Sequence, residues 1–240
     1  MPAMIDRLSP MEIADELIYP YASTPPRIAL DVAEVLARCP AVSRVTLFGS
    51  LVSRTHDGWS DIDMMCVTAG HAGAWEAVHL LREAMPLRWY GPFSSLPQPS
   101  GRYWPYGESI FHSIDLSFRT AEAHARVLRE GLGGVEVVTR DIFQREESPS
   151  SGAGPGVETD TGEYAFTHAL YATTKAMKEY LRGTGGWVTV SARMDALEME
   201  ARALPRRPSG GRPDDVLDEA RSLYQRLLMD RLRLGVGGGT

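Results

Sequence analysis

Asp61 and Asp63 are the side chains of this chain best placed to do chemistry. In an extended strand, residues i and i+2 leave the same face. The two carboxylates therefore project together, while Ile62 and Met64 turn the other way. Neighbouring carboxylates repel each other unless a cation lies between them. Hard oxygen donors suit Mg²⁺, which takes one or two carboxylates together with phosphate oxygens. Just upstream, Gly49-Ser50 ends an apolar run. Glycine lets backbone approach a bulky anion, and serine adds a hydroxyl and an N–H. A phosphate corner beside an aspartate pair would suit a metal–nucleotide complex. The same residues would equally suit a tight turn and two solvated acids on a strand edge, and spacing alone leaves both open.

Strands must carry these groups. Arg44 to Phe48 is a short β-branched and aromatic run that predicts a strand, and Asp61 to Val67 predicts a second. Leu51 to Ser60 between them is polar and reads as a loop. A third carboxylate, Asp115, alternates with Ile114 and Leu116 in the strand candidate Phe111 to Phe118, so it faces away from the apolar side. Leu87 to Tyr90 and Val135 to Val138 are further strand candidates. Helical spacing marks Ser9 to Ala22, with Ser9-Pro10 as its start signal, and Pro26 to Arg38, Ala72 to Met85 and Ala121 to Glu130. Residues Gly91 to Gly107, rich in Pro, Gly, Ser and aromatics, read as a long irregular segment.

Beyond Glu146 to Gly156, a Pro/Gly/Ser-rich stretch, the pattern is helical over Glu163 to Arg182, Val190 to Leu204 and Asp214 to Leu234. A loop is expected over Pro205 to Pro213 and a frayed tail over Gly235 to Thr240. The expected architecture is α+β: a small mixed-sheet domain over 1–145, a linker over 146–162 and an all-helical domain over 163–240.

The segment Phe48-Gly-Ser-Leu, then Asp57-Gly58, then Ser60-Asp-Ile-Asp-Met-Met-Cys-Val67 resembles the signature of the DNA polymerase β-like nucleotidyltransferase superfamily. Its narrower likeness is to the kanamycin (aminoglycoside 4'-) nucleotidyltransferases. That resemblance implies a palm-type catalytic domain, two Mg²⁺ ions and ATP or another nucleoside triphosphate as substrate. It implies that Asp61, Asp63 and Asp115 hold the metals and that Gly49 and Ser50 hold the outer phosphates. Arg54, in the loop between the two halves of the motif, would reach a phosphate; the kanamycin enzymes have their loop arginine one position earlier, where this chain has Ser53. The stretch from Asp63 to Asp115 is longer than in those enzymes, which bears on the acceptor pocket.

The helix over Glu163 to Arg182 gathers Phe166, Leu170, Met177, Tyr180 and Leu181 on one side at ~100° per residue. His168, Tyr171, Lys175, Lys178 and Arg182 fall opposite. This basic stripe is either a solvated face or the border of a cleft. Related enzymes carry a lysine on this helix, so the resemblance assigns Lys175 and Lys178 to the triphosphate. It also offers Glu179 as general base, in competition with Asp115. The aromatics from Trp89 to Tyr106 would either wall an acceptor site or anchor a loop.

Composition frames these expectations. The chain has 240 residues and a net charge of -6, which disfavours long nucleic acids as partners. Mean hydropathy is -0.20, and no apolar run approaches the ~20 residues of a membrane span. With two cysteines, no disulfide framework and no secretory pattern, the cytoplasm is the expected location. The expected activity is transfer of an NMP, AMP being the first choice, to a hydroxyl of a small polar acceptor such as an aminoglycoside. Nucleotidylation of a protein or tRNA, and a non-catalytic, antitoxin-like nucleotide-binding module, are the alternatives. The kanamycin enzymes are dimers, so the resemblance also allows a homodimer.

Overall fold

The computed structural model describes residues 25–93, 99–130, 133–139, 161–205 and 211–235. The expected helix over Ser9 to Ala22 and the linker over Glu146 to Gly156 lie outside these residues. In chain order the elements are α1 (Pro25–Ala37), β1 (Val42–Leu47), α2 (Gly49–Ser53), β2 (Ile62–Thr68), α3 (Gly70–Ala84), β3 (Leu87–Pro92) and β4 (Gly101–Pro105). They continue with β5 (Ile114–Arg119), α4 (Ala121–Arg129), β6 (Val135–Thr139), α5 (Thr161–Leu181), α6 (Trp187–Ala203) and α7 (Pro213–Gly235). The fold is mixed α and β. No described helix is long and apolar enough to cross a membrane.

One six-stranded sheet runs in the order β3-β4-β5-β2-β1-β6. It is mixed: β2 and β5 pair in parallel, and the other neighbours are antiparallel. Alternation splits its side chains between two cores. Ile62, Met64, Cys66, Ile114, Leu116 and Tyr103 join α1 and α3 in one core. Trp89 and Trp104 enter a second, with Phe166 and Leu170 of α5, Met194 of α6 and Leu223 of α7. The sheet is thus clad on one face by α1 and α3 and, at β3, on the other by α5 and α7, with α6 packed on those two helices.

Three local expectations are corrected. The stretch 91–107 is not irregular throughout, because β3 continues to Pro92 and β4 forms over Gly101–Pro105. Its aromatics alternate between the two cores, with Tyr90 on Tyr103 (ring centroids 4.7 Å apart) on one side and Trp89 on Phe166 (4.8 Å) on the other. Gly91, which reads as a loop signal, instead lets α5 approach: a Cβ there would lie 1.7 Å from Thr167 Oγ1. The segment after Gly49 begins with the single-turn helix α2 rather than a loop. The strand expected from Phe111 starts at Ile114, because Ser109 to Ser113 form a turn held by His112 N–H donating to Ser109 O (2.9 Å).

Candidate active site

The site is built where β2 and β5 run side by side. Their register pairs Asp63 with Asp115 on the face turned from α1 and α3. Neighbouring strands lie ~4.8 Å apart, so the two carboxylates stand abreast. Asp61, immediately before β2, is close enough for its charge to bear on both. Burial, reinforced by Asp61, pushes the Asp63 carboxyl up from its ordinary value, against the pull of Arg102 and Lys178. Burial likewise pushes Asp115 up to about 6, although Arg102 opposes it.

Gly49 forms the adjoining corner. Phe48 N–H donates to Asp63 O (3.0 Å), tying the end of β1 to the middle of the motif. Gly49 has φ +65°, and a Cβ there would meet Asp63 Oδ2 at 2.2 Å. Only glycine provides both the left-handed conformation and the room. Ser50 follows at the start of α2, its Oγ buried without a hydrogen-bond partner among the described residues. A buried hydroxyl left unsatisfied in this way costs stability until something binds it. Arg54 ends α2 in the left-handed conformation with φ 57° and is exposed.

The basic stripe of α5 divides. Lys178 is buried, 5% exposed, and its charge interacts with Asp61, Asp115 and Asp57. Burial holds its ammonium down at about 8, while the three carboxylates work the other way. Arg182, a turn further on, donates from Nε and Nη2 to Asp57 (2.7 Å each). Burial tends to raise the Asp57 carboxyl, but the bonds from Arg182 and Ser60 win and hold it below its ordinary value. Asp57 also accepts from Trp59 N–H and Ser60 Oγ–H, so this clasp fixes the loop that delivers Asp61. Tyr171 lies near the aspartates, and its hydroxyl is held up by burial and then by Asp61 and Asp115. Lys175, by contrast, is exposed and sits 4.0 Å from Glu179 along the helix. Glu179, turned ~100° from Lys178, is 42% exposed and sits beside Lys175 at the helix surface.

Sequence reasoning missed Arg102. It lies opposite Asp115 in the β4–β5 register, with Nε 2.9 Å from Asp115 Oδ1 and hydrogen-bonded to Oδ2 at 3.1 Å. Its guanidinium stacks on Tyr171, 3.5 Å from the ring centroid, and lies 5.3 Å from that of Phe93. Its place in a segment read as irregular hid the alternation that would have assigned it to the aspartate face. The clasp was missed too: both its residues were noted, but nothing in the spacing joins positions so far apart.

Among the described residues, no group of three or more His, Cys, Asp or Glu side chains forms a ready-made metal-ligand set. The donors nonetheless fit a hard divalent cation with a phosphate ligand. They are clustered carboxylates whose ionised form is disfavoured by burial, beside an unpartnered Ser50 hydroxyl. In comparisons with known proteins, no family model matches the chain and no curated protein matches it.

Proposed function

We propose that this chain is a Mg²⁺-dependent nucleotidyltransferase. Its catalytic unit would be a polymerase β-like palm built on β1, β2 and β5, followed by a helical C-terminal unit. The observation that carries this reading is the in-register pair Asp63 and Asp115, with the Gly49 corner against Asp63 and the charge of the buried Lys178 bearing on both. The substrates are a nucleoside triphosphate, ATP being the first choice, and a small polar molecule with a free hydroxyl.

Asp61, Asp63 and Asp115 would hold one or two magnesium ions, which supply charge stabilisation at the attacking and leaving oxygens. Gly49 and Ser50 offer backbone N–H groups and a hydroxyl to the outer phosphates. Lys178, desolvated on α5, adds a positive charge where its strength is least screened by water. The acceptor oxygen forms a bond to the α-phosphorus as the bond to pyrophosphate breaks, and the hydroxyl proton leaves through a base or solvent. Asp115, abreast of Asp63 on the neighbouring strand, is the better placed of the two candidate bases; Glu179 lies beside Lys175 at the exposed helix surface. The protein's own share is positioning and electrostatics fixed in advance.

The test is pyrophosphate release from labelled ATP with Mg²⁺ and a panel of aminoglycosides, other sugars, tRNA and proteins. Release that depends on one acceptor class is expected, and Asp61→Asn or Asp63→Asn should lower it by about 10³-fold or more with the fold intact. Full turnover in either variant overturns the assignment. Tight nucleotide binding with no release on any acceptor would make the chain a nucleotide-binding module instead.

A further inference from the structure

The order of strands gives the proposed site a direction. Across the sheet from β1 to β4 lie the Gly49–Ser50 corner, Asp63 on β2, Asp115 on β5 and Arg102 on β4. In-line displacement puts the incoming oxygen and the departing pyrophosphate on opposite sides of the phosphorus. If the outer phosphates lie at the Gly49 end, the acceptor enters from the Arg102 end.

What stands at that end is a fixed cation. The Arg102 side chain is 17% exposed, held between Tyr171 and Phe93, with its Nε on Asp115. A guanidinium has five N–H donors. Among the described residues only the Nε–H has a hydrogen-bond partner, which leaves the planar fork of terminal amino groups for something else. Lys178 and Arg182 stand on the α5 side, near Asp61 and Asp57. Once cations and triphosphate satisfy the carboxylates and Lys178, Arg102 is the charge an acceptor meets. Stacked arginine forks match carboxylate and phosphate groups in shape as well as sign.

We propose that Arg102 reads the acceptor, and that the acceptor is a hydroxyl compound bearing an anionic oxyacid group, carboxylate or phosphate, rather than a polycation. This refines the nucleotidyltransferase reading and rests on it. An aminoglycoside would bring ammonium groups against a guanidinium that cannot lose its charge. The acidic composition of the whole chain, which favours polycations at long range, is overridden locally by this one side chain.

The experiment uses charge-matched sugars: glucose, glucosamine, glucuronate and glucose 6-phosphate, each with ATP and Mg²⁺. Transfer is read as pyrophosphate release dependent on the sugar. Transfer to water is read alongside it, because a sugar seated on Arg102 without reacting excludes water and slows hydrolysis. Expected is an advantage of at least tenfold for an acidic sugar over glucosamine, in kcat/KM or in inhibition of hydrolysis. The uronate and phosphate arms tell which oxyacid is preferred. In Arg102→Gln the ratio should collapse to within about threefold. Arg102→Lys, which keeps charge and bulk but loses the planar fork, should keep the preference at reduced size. Glucosamine used as well as the acids, or a ratio unchanged in a folded Arg102→Gln, overturns the role of Arg102 and leaves the nucleotidyltransferase reading standing. Absence of both ATP binding by calorimetry and any pyrophosphate release overturns both.

Discussion

Asp115 carries the most informative balance of forces among the individual residues. Burial raises its carboxyl from 3.8 to about 6, even with Arg102 against it. In the metal-free protein the folded state therefore holds that proton more tightly than the unfolded chain does. The stabilisation is complete below about pH 4 and is lost as pH rises through about 6. A shift of this size corresponds to at most about 3 kcal/mol. Thermal melting of metal-free protein across pH 4 to 7 should show this fall, and Asp115→Asn should flatten it. An unchanged slope in the variant would mean that the carboxyl titrates as if in water. Asp63 is held up in the same direction, by burial and by Asp61. The Asp61–Asp63 pair was legible from spacing alone, since i and i+2 share a face in any strand. The choice between Lys175 and Lys178 was not, because both lie on the same broad stripe and only the rotation of α5 against the sheet buries one of them.

At the level of elements, the motif loop is anchored twice. Its start is the tight Gly49 corner on Asp63; its end is the Asp57–Arg182 clasp just past the end of α5. Both partners of the clasp are more than a third exposed, at 38% and 36%, so screening limits its worth to about 1 kcal/mol. Arg182→Ala should accordingly cost little in melting temperature, yet speed amide hydrogen exchange in residues 57–60, whose side-chain and backbone bonds run through Asp57. Equal protection in wild type and variant would show that the loop holds itself. The β3–α5 contact is different in kind. Gly91→Ala puts a methyl into the Thr167 side chain and should destabilise by about 1–3 kcal/mol. Because Thr167 also accepts from Trp89 Nε1–H (2.8 Å), Thr167→Ala carries its own cost. The double variant should fall short of the sum of the two in denaturant titrations, since the methyl then has room.

For the whole molecule, the sheet's two faces divide the labour. One is closed by α1 and α3 and is apolar. The other is shared between the second core, at β3 and β4, and the aspartates of β2 and β5 with α5 above them. Ligand binding should therefore register in global stability. Mg²⁺ with ATP should raise the melting temperature, following the mass-action rise of stability with ligand concentration. Asp61→Asn and Asp63→Asn should abolish that rise, while in metal-free buffer Asp63→Asn should melt no lower than wild type, since burial and the Asp61 charge disfavour its ionised carboxyl. A lower metal-free melting temperature in Asp63→Asn would mean that this carboxylate stabilises the fold rather than strains it.

The sequence by itself determined the local facts: where glycine must end β1, which side chains of β2 share a face, and which residues of α5 form a basic stripe. These follow from periods of two and 3.6 residues, which any short segment carries with it. Only the tertiary structure decided that Asp115 stands level with Asp63, that Lys178 faces the acids, that Arg182 closes on Asp57 and that Arg102 flanks them all. Those relations depend on the register between strands far apart in the chain and on the rotation of a helix over a sheet. Both are set by burying the whole collection of apolar side chains at once, a condition that no local stretch of residues can express.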